Sequence, residues 1–156
     1  MTQYLSRITN PLGIIGSASG WGAENTGTED APDYVYTHLQ SLLSLSSDIQ
    51  WAGTAYPPFK HSLKPSVSQS DSWGCVNTHN YFLSYLIKKA LTNGCFPIPI
   101  GGDHSMAVST WSTITEFFQI PKQCGLIWID AHMDAHTPTT SHSQNLHGMP
   151  VAALLG

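Results

Sequence analysis

The stretch Phe96-Pro97-Ile98-Pro99-Ile100-Gly101-Gly102-Asp103-His104-Ser105 decides the fold. It is a short apolar run, then a glycine turn, then polar residues. Before it, Leu83, Leu86, Ile87, Ala90 and Leu91 fall at helical spacing, Lys88 and Lys89 sit near the C-terminal end, and Asn93-Gly94 supplies a left-handed stop. After it, Met106 to Phe118 reads as another helix. Helix, apolar run, glycine turn and helix is the rhythm of a mostly parallel α/β sheet, although two prolines make the run a weak strand by propensity. A second such unit follows, because Gly125-Leu126-Ile127-Trp128-Ile129 is continuously apolar, as strands covered on both faces are, and runs straight into Asp130.

Working outward, Leu12 to Gly16 reads as a first strand entering the small-residue loop Ser17-Ala18-Ser19-Gly20. Asp30-Ala31-Pro32 opens a helix running to about Leu45, and Asp48 to Trp51 suits a second strand. Tyr56 to Ser72, rich in Pro and Ser, has no periodicity and reads as a surface loop. Pro150 to Leu155 begins a further helix.

The chain of 156 residues is 41% hydrophobic, enough for one core, and only 10% charged, so charge-driven disorder is excluded. Six Lys plus Arg and a net charge of -4 leave nothing to neutralise a phosphate backbone or an anionic membrane surface. No stretch approaches the apolar length of a membrane span. Met1 to Asn10 lacks the apolar centre of a secretory signal, and three scattered cysteines form no pairing framework; a cytoplasmic setting is expected.

Histidines outnumber basic residues, and five of the eight crowd the last third of the chain. Asp130-Ala131-His132-Met133-Asp134 sets carboxylate and imidazole groups two apart at a strand end. Alternation directs Asp130, His132 and Asp134 to one side, into the crevice where open α/β sheets bind ligands. His104 leaves the neighbouring run in the same place. Hard oxygen and imidazole donors without thiolate suit manganese or a related divalent ion better than a closed zinc site, and Asp130 has two oxygens with which to bridge two ions. Asp103 reads as a cap of the following helix.

Three ordered signatures, Gly101-Gly102-Asp103-His104-Ser105, Asp130-Ala131-His132-Met133-Asp134 and Asn145-Leu146-His147-Gly148-Met149-Pro150, resemble the arginase group of ureohydrolases. Trp21-Gly22-Ala23 and Gly27 to Pro32 resemble that family's early glycine-rich segment. The resemblance implies a three-layer α/β/α fold and a site for two Mn2+ ions that splits the guanidinium group of L-arginine into ornithine and urea. By the same resemblance, His104 binds one ion, His132 the other, Asp130 bridges them, and Asp134 binds beside His104 and orients the nucleophile. His147 corresponds to the proton-shuttling histidine, and imidazole titrates in the right range. His136 and Ser143 fall where the family holds the substrate's α-carboxylate. Ser143 matches the family residue, while His136 stands where an Asn is usual.

The family also carries a later Asp-x-Asp-x-x-Asp-Pro segment that completes both metal sites, and no such segment occurs in this sequence. The expectation is therefore that residues 1–156 form the N-terminal portion of a single ureohydrolase domain, truncated, inactive alone, and exposing a strand edge and apolar helix faces. Three readings stay open: an arginase-type hydrolase active only when the missing C-terminal half is supplied, with a homo-oligomer as a further candidate partner; an agmatinase or other guanidino-compound ureohydrolase; and a non-catalytic remnant or interaction module with at most weak single-metal binding.

Overall fold

A computed structural model describes residues 10–24, 27–44, 46–58, 69–119 and 124–156. Three parallel strands, β1 (Leu12–Ser17), β2 (Ile49–Ala55) and β3 (Phe96–Ile100), form a sheet in the order β2-β1-β3. Helix α1 (Ala31–Leu43) joins β1 to β2, and α2 (Gln69–Thr92) joins β2 to β3. Helices α3 (Met106–Phe118) and α4 (Pro150–Leu155) follow. Right-handed crossovers fix the layers. The chain moves one way from β1 to β2 and the opposite way from β2 past β1 to β3, so α1 lies on one face and α2 on the other. The expected α/β/α architecture is present.

Strand β1 is central, and Ile14 and Ile15 are both buried although they point to opposite faces. On the α2 side, Ile15, Ala55, Leu83, Ile87, Ala90, Leu91 and Cys95 form one core, joined by Met106, Ile114 and Phe117 of α3. On the other face Pro32 of α1 is fully buried, and its ring occupies the space a side chain at Gly101 would fill. The direction of winding reverses between β1 and β3, and the loops after these strands diverge there, opening the crevice where α/β sheets place ligands.

Several boundaries move. Helix α1 starts one residue before Pro32 and ends at Leu43, and β2 continues past Trp51 to Ala55. The loop read over Tyr56 to Ser72 ends early, because α2 already begins at Gln69; residues 59–68, like the Met1 to Thr9 segment, lie outside the described residues. The larger correction concerns Gly125 to Ile129. This segment joins no ladder among the described residues, and Ile127 and Ile129 are 85% and 93% exposed. Strand β3 supplies a physical reason. Its Phe96 N–H donates to Pro11 O at 2.8 Å, so by alternation Phe96, Ile98 and Ile100 bond toward β1, while Pro97 and Pro99 hold the outward positions. Proline has no N–H, so the outer edge of β3 lacks two donors that a fourth strand would use. Among the described residues, no helix is long and apolar enough to cross a membrane.

Candidate functional site

The loop after β3 turns on Gly101 (φ 85°) and Gly102 (φ 72°), both left-handed. It is laced to the loop after β1: Gly102 N–H donates to Thr28 O at 3.2 Å, and Asp103 N–H to Ser19 O at 2.8 Å. His104 is thereby held at the crevice, half exposed, with its ring centroid 5.1 Å from that of Trp128.

Two carboxylates converge on His104. Its Nδ1 lies 2.8 Å from Asp134 Oδ2 and 3.0 Å from Asp130 Oδ2, and one ligand atom from each of the three residues falls within 4.8 Å of the others. The Asp134 side chain is 7% exposed and that of Asp130 15%. The His132 N–H donates to Asp130 Oδ1 at 2.7 Å and, as the leading cause, holds that carboxyl below the usual carboxylate range. Two carboxylates this close repel unless a proton or cation lies between them.

His132 is placed differently from the expectation. The chain bends at Ala131 and His132, which breaks strict alternation, and the imidazole is 84% exposed. It stays near Asp130 through the other carboxylate oxygen, with Nδ1 3.4 Å from Oδ1. Asp130 therefore turns Oδ2 toward His104 and Oδ1 toward His132, and the structure does not bring His132 into the three-residue cluster.

After Asp134 (φ 48°) the chain loops out and returns. Asp134 O accepts Val151 N–H at 2.9 Å and Gly148 O accepts His136 N–H at 3.1 Å, closing the excursion from 137 to 147. A cavity of about 590 Å³ lies within, lined by His132, Asp134, His136, Ser143 and His147 among others. His136 Nδ1 is 3.3 Å from Thr140 Oγ1, and Ser143 Oγ accepts Asn145 N–H at 3.3 Å. His104 lines a neighbouring hollow of about 380 Å³ with Trp128 and Ile129.

Two features escaped the reading of the sequence. Asp103 is not the cap of α3, whose N-cap is Ser105; its Oδ1 accepts Ser105 N–H at 2.9 Å within the loop, while Oδ2 accepts Gly22 N–H at 2.9 Å from the loop after β1. The second is His79 on α2, 1% exposed, whose Nε2 donates to Ala55 O at 3.2 Å beside Ser17 Oγ at 3.5 Å. His79 precedes Leu83 by four residues, the spacing of one helix face, but a backbone carbonyl partner leaves no mark in sequence.

The parallel α/β sheet carries, beyond β3, a cluster of two carboxylates and an imidazole, a donor set able to hold a divalent cation. Comparison with known proteins narrows the reading: the arginase family model matches residues 10–156, and the chain belongs to that family. The arginase of Bacillus caldovelox is 42% identical over 149 residues, covering 94% of this chain and 49% of that protein. Its crystal structure superposes with a TM-score of 0.75 at 32% identity, over 92% of this chain and 48% of the other. Arginase from Bacillus subtilis gives a TM-score of 0.74 at 27% identity, covering 94% of this chain and 46% of that one. The chain thus spans about half the length of the curated relatives it matches.

Proposed function

We propose that this chain contributes the His104, Asp130, His132 and Asp134 half of a two-manganese site that hydrolyses L-arginine to ornithine and urea, as part of a single arginase-type domain working in the cytoplasm. The observation that carries the reading is the convergence of His104, from the loop after β3, with Asp130 and Asp134 in an arginase-family chain. The donors fit the metal. They are two carboxylates and an imidazole without thiolate, closely packed like charges that a cation relieves, with a further imidazole at the free oxygen of Asp130. A divalent pair held there supplies Lewis acidity, lowering the pKa of water toward neutrality.

The residues of the chain divide the remaining work. Asp130 faces His104 with one oxygen and His132 with the other, the disposition a bridging carboxylate needs. Asp134, nearly buried beside His104, would orient a nucleophile at the cluster. His147 lines the same cavity and carries the proton that the leaving amine requires. His136 and Ser143, on the cavity wall, offer hydrogen bonds to an α-carboxylate. That pair favours arginine over its decarboxylated analogue agmatine, the competing substrate.

The test is release of urea and ornithine by the full-length manganese-loaded protein, with L-arginine and agmatine offered separately. Turnover of arginine well above agmatine is expected, and preference for agmatine overturns the substrate assignment. No Asp-x-Asp-x-x-Asp-Pro segment occurs among these 156 residues, so on this reading they release no urea by themselves. A non-catalytic interaction role is the second reading, favoured by the exposed Ile127, Ile129 and Met133. Manganese binding without urea release in any assembled form would select it.

A further inference from the structure

We propose that Asp103 and Gly22 are positioning residues that decide which nitrogen of His147 is free to exchange a proton. The proposal takes its chemical meaning from the reading of His147 as proton carrier, but its geometry stands apart from that reading.

The chain of contacts has three links. Asp103 is 6% exposed, and its Oδ2 accepts Gly22 N–H at 2.9 Å. Gly22 O in turn accepts two donors from His147, the main-chain N–H at 3.0 Å and the ring Nδ1 at 2.9 Å. A carbonyl oxygen only accepts, so the second contact requires the proton on Nδ1. In the neutral ring that leaves the lone pair on Nε2. Proton gain and loss is then directed to Nε2, the ring nitrogen away from Gly22, while Nδ1 stays tethered.

Gly22 explains why a carboxylate is needed. A Cβ there would collide with the Asp103 carboxylate and the Ser105 side chain, so the close approach requires glycine. Glycine, however, does little to fix its own backbone direction. The charge-assisted bond from Asp103 restores that direction and hence the aim of the carbonyl. Packing secures the neighbouring residues: Trp21, next to Gly22, is buried with Cys75 and Val76 against Leu146, next to His147. Main chain and ring of His147 are thus both anchored to one oxygen whose position Asp103 sets.

The bond to Ser105 N–H closes only a local turn before α3. The bond to Gly22 crosses 81 positions of sequence and contributes nothing to the helix end.

The experiment is long-range proton-nitrogen NMR of the histidine rings in the full-length protein, with His147→Asn for assignment, together with amide hydrogen exchange. In the wild type, Nδ1 of His147 is expected to be protonated and Nε2 to carry the lone pair. Asp103→Asn keeps the volume but sets an amide NH2 against one of two N–H donors. The folded variant is expected to show a mixture of tautomers, with the Gly22 and His147 amides exchanging about tenfold faster and those of Leu83 and Ile87 unchanged. A wild-type ring protonated on Nε2 overturns the proposal, and so does a folded variant with the wild-type tautomer and exchange rates. If the variant does not fold, the wild type decides. A Gly22 amide exchanging as fast as that of exposed Thr139 overturns the proposal, and one slowed by about a hundredfold or more supports it. None of these readouts needs turnover. Absence of urea would sink the hydrolytic reading and leave this one standing, and the wrong tautomer would do the reverse.

Discussion

His104 Nδ1 and Asp134 Oδ2 stand 2.8 Å apart, joined from two loops that are 30 positions apart in sequence. Asp134 reaches this place with a left-handed backbone, φ 48°, which costs a residue with a Cβ about 1 kcal/mol or more. The surroundings hold it there: Val151 N–H donates to its carbonyl, and its side chain is nearly buried against His104 and Asp130. On the proposed metal-binding reading, a cation would relieve the repulsion between these two carboxylates.

Manganese should therefore stabilise the protein. At free metal a hundred times the dissociation constant, mass action raises unfolding free energy by about 2.7 kcal/mol, and the melting temperature rises with it. Asp134→Asn removes a charge from the three-residue cluster. We expect manganese affinity, measured calorimetrically, to fall by about tenfold or more, or about 1.4 kcal/mol. Unchanged affinity would place the metal elsewhere.

Asp130→Asn makes a different prediction. Its two oxygens face two histidines, so the change should reduce the number of ions bound and not merely the affinity. Electron paramagnetic resonance of the manganese-loaded full-length protein distinguishes coupled pairs from isolated ions. A variant that keeps two coupled ions would show that Asp130 does not bridge.

Local patterns account for most of what the sequence made legible. Apolar spacing and the glycine turn gave α3 its observed bounds, and Leu12 to Gly16 is β1 to within one residue. The cluster was legible because Asp130, Asp134 and His104 all follow apolar runs. His132 departs from strict alternation because the chain bends after Asp130. Gly125 to Ile129 was read as a strand from its own hydrophobicity, whereas pairing depends on the neighbour, where Pro97 and Pro99 withhold donors. The role of Asp103 is not legible in the sequence, because its partner is a backbone amide 81 residues earlier, which no side-chain pattern reports.

His79 predicts a pH dependence of stability. Burial, the largest influence, pushes its pKa below the ordinary histidine value, against smaller opposing effects from the Ala55 carbonyl, the charge of Asp103 and Asn80. The unfolded chain takes up a proton near pH 6.5, whereas the folded chain resists until lower pH. The unfolded state thus binds more protons in that window, so this group's contribution is intact above about pH 6.5 and is lost as pH falls toward the depressed folded value. His79→Gln should flatten this part of the wild-type slope in urea denaturation between about pH 7 and 5. An identical slope in both proteins would show that His79 is not protonated differently on folding.

Gly102→Ala tests how tightly the two site loops are packed. Gly102 has φ 72°, and a Cβ there would lie 2.5 Å from Ser17 O and 3.0 Å from Ser19 O, main-chain atoms of β1 and its loop. Gly94, at φ 75°, has nothing within 4 Å of the same added atom. Both substitutions carry the left-handed penalty of about 1 kcal/mol, but only the first adds a collision with backbone. Urea denaturation should show Gly102→Ala losing about 2 to 4 kcal/mol and Gly94→Ala about 1 kcal/mol. Because His104 lies two residues beyond Gly102, the loop that relieves the collision also carries this proposed ligand away from Asp130 and Asp134. Manganese affinity should therefore fall in Gly102→Ala and hold in Gly94→Ala. Equal stability losses would mean that the Ser17 carbonyl yields freely, and unchanged metal affinity in both would mean that His104 does not depend on this turn for its position.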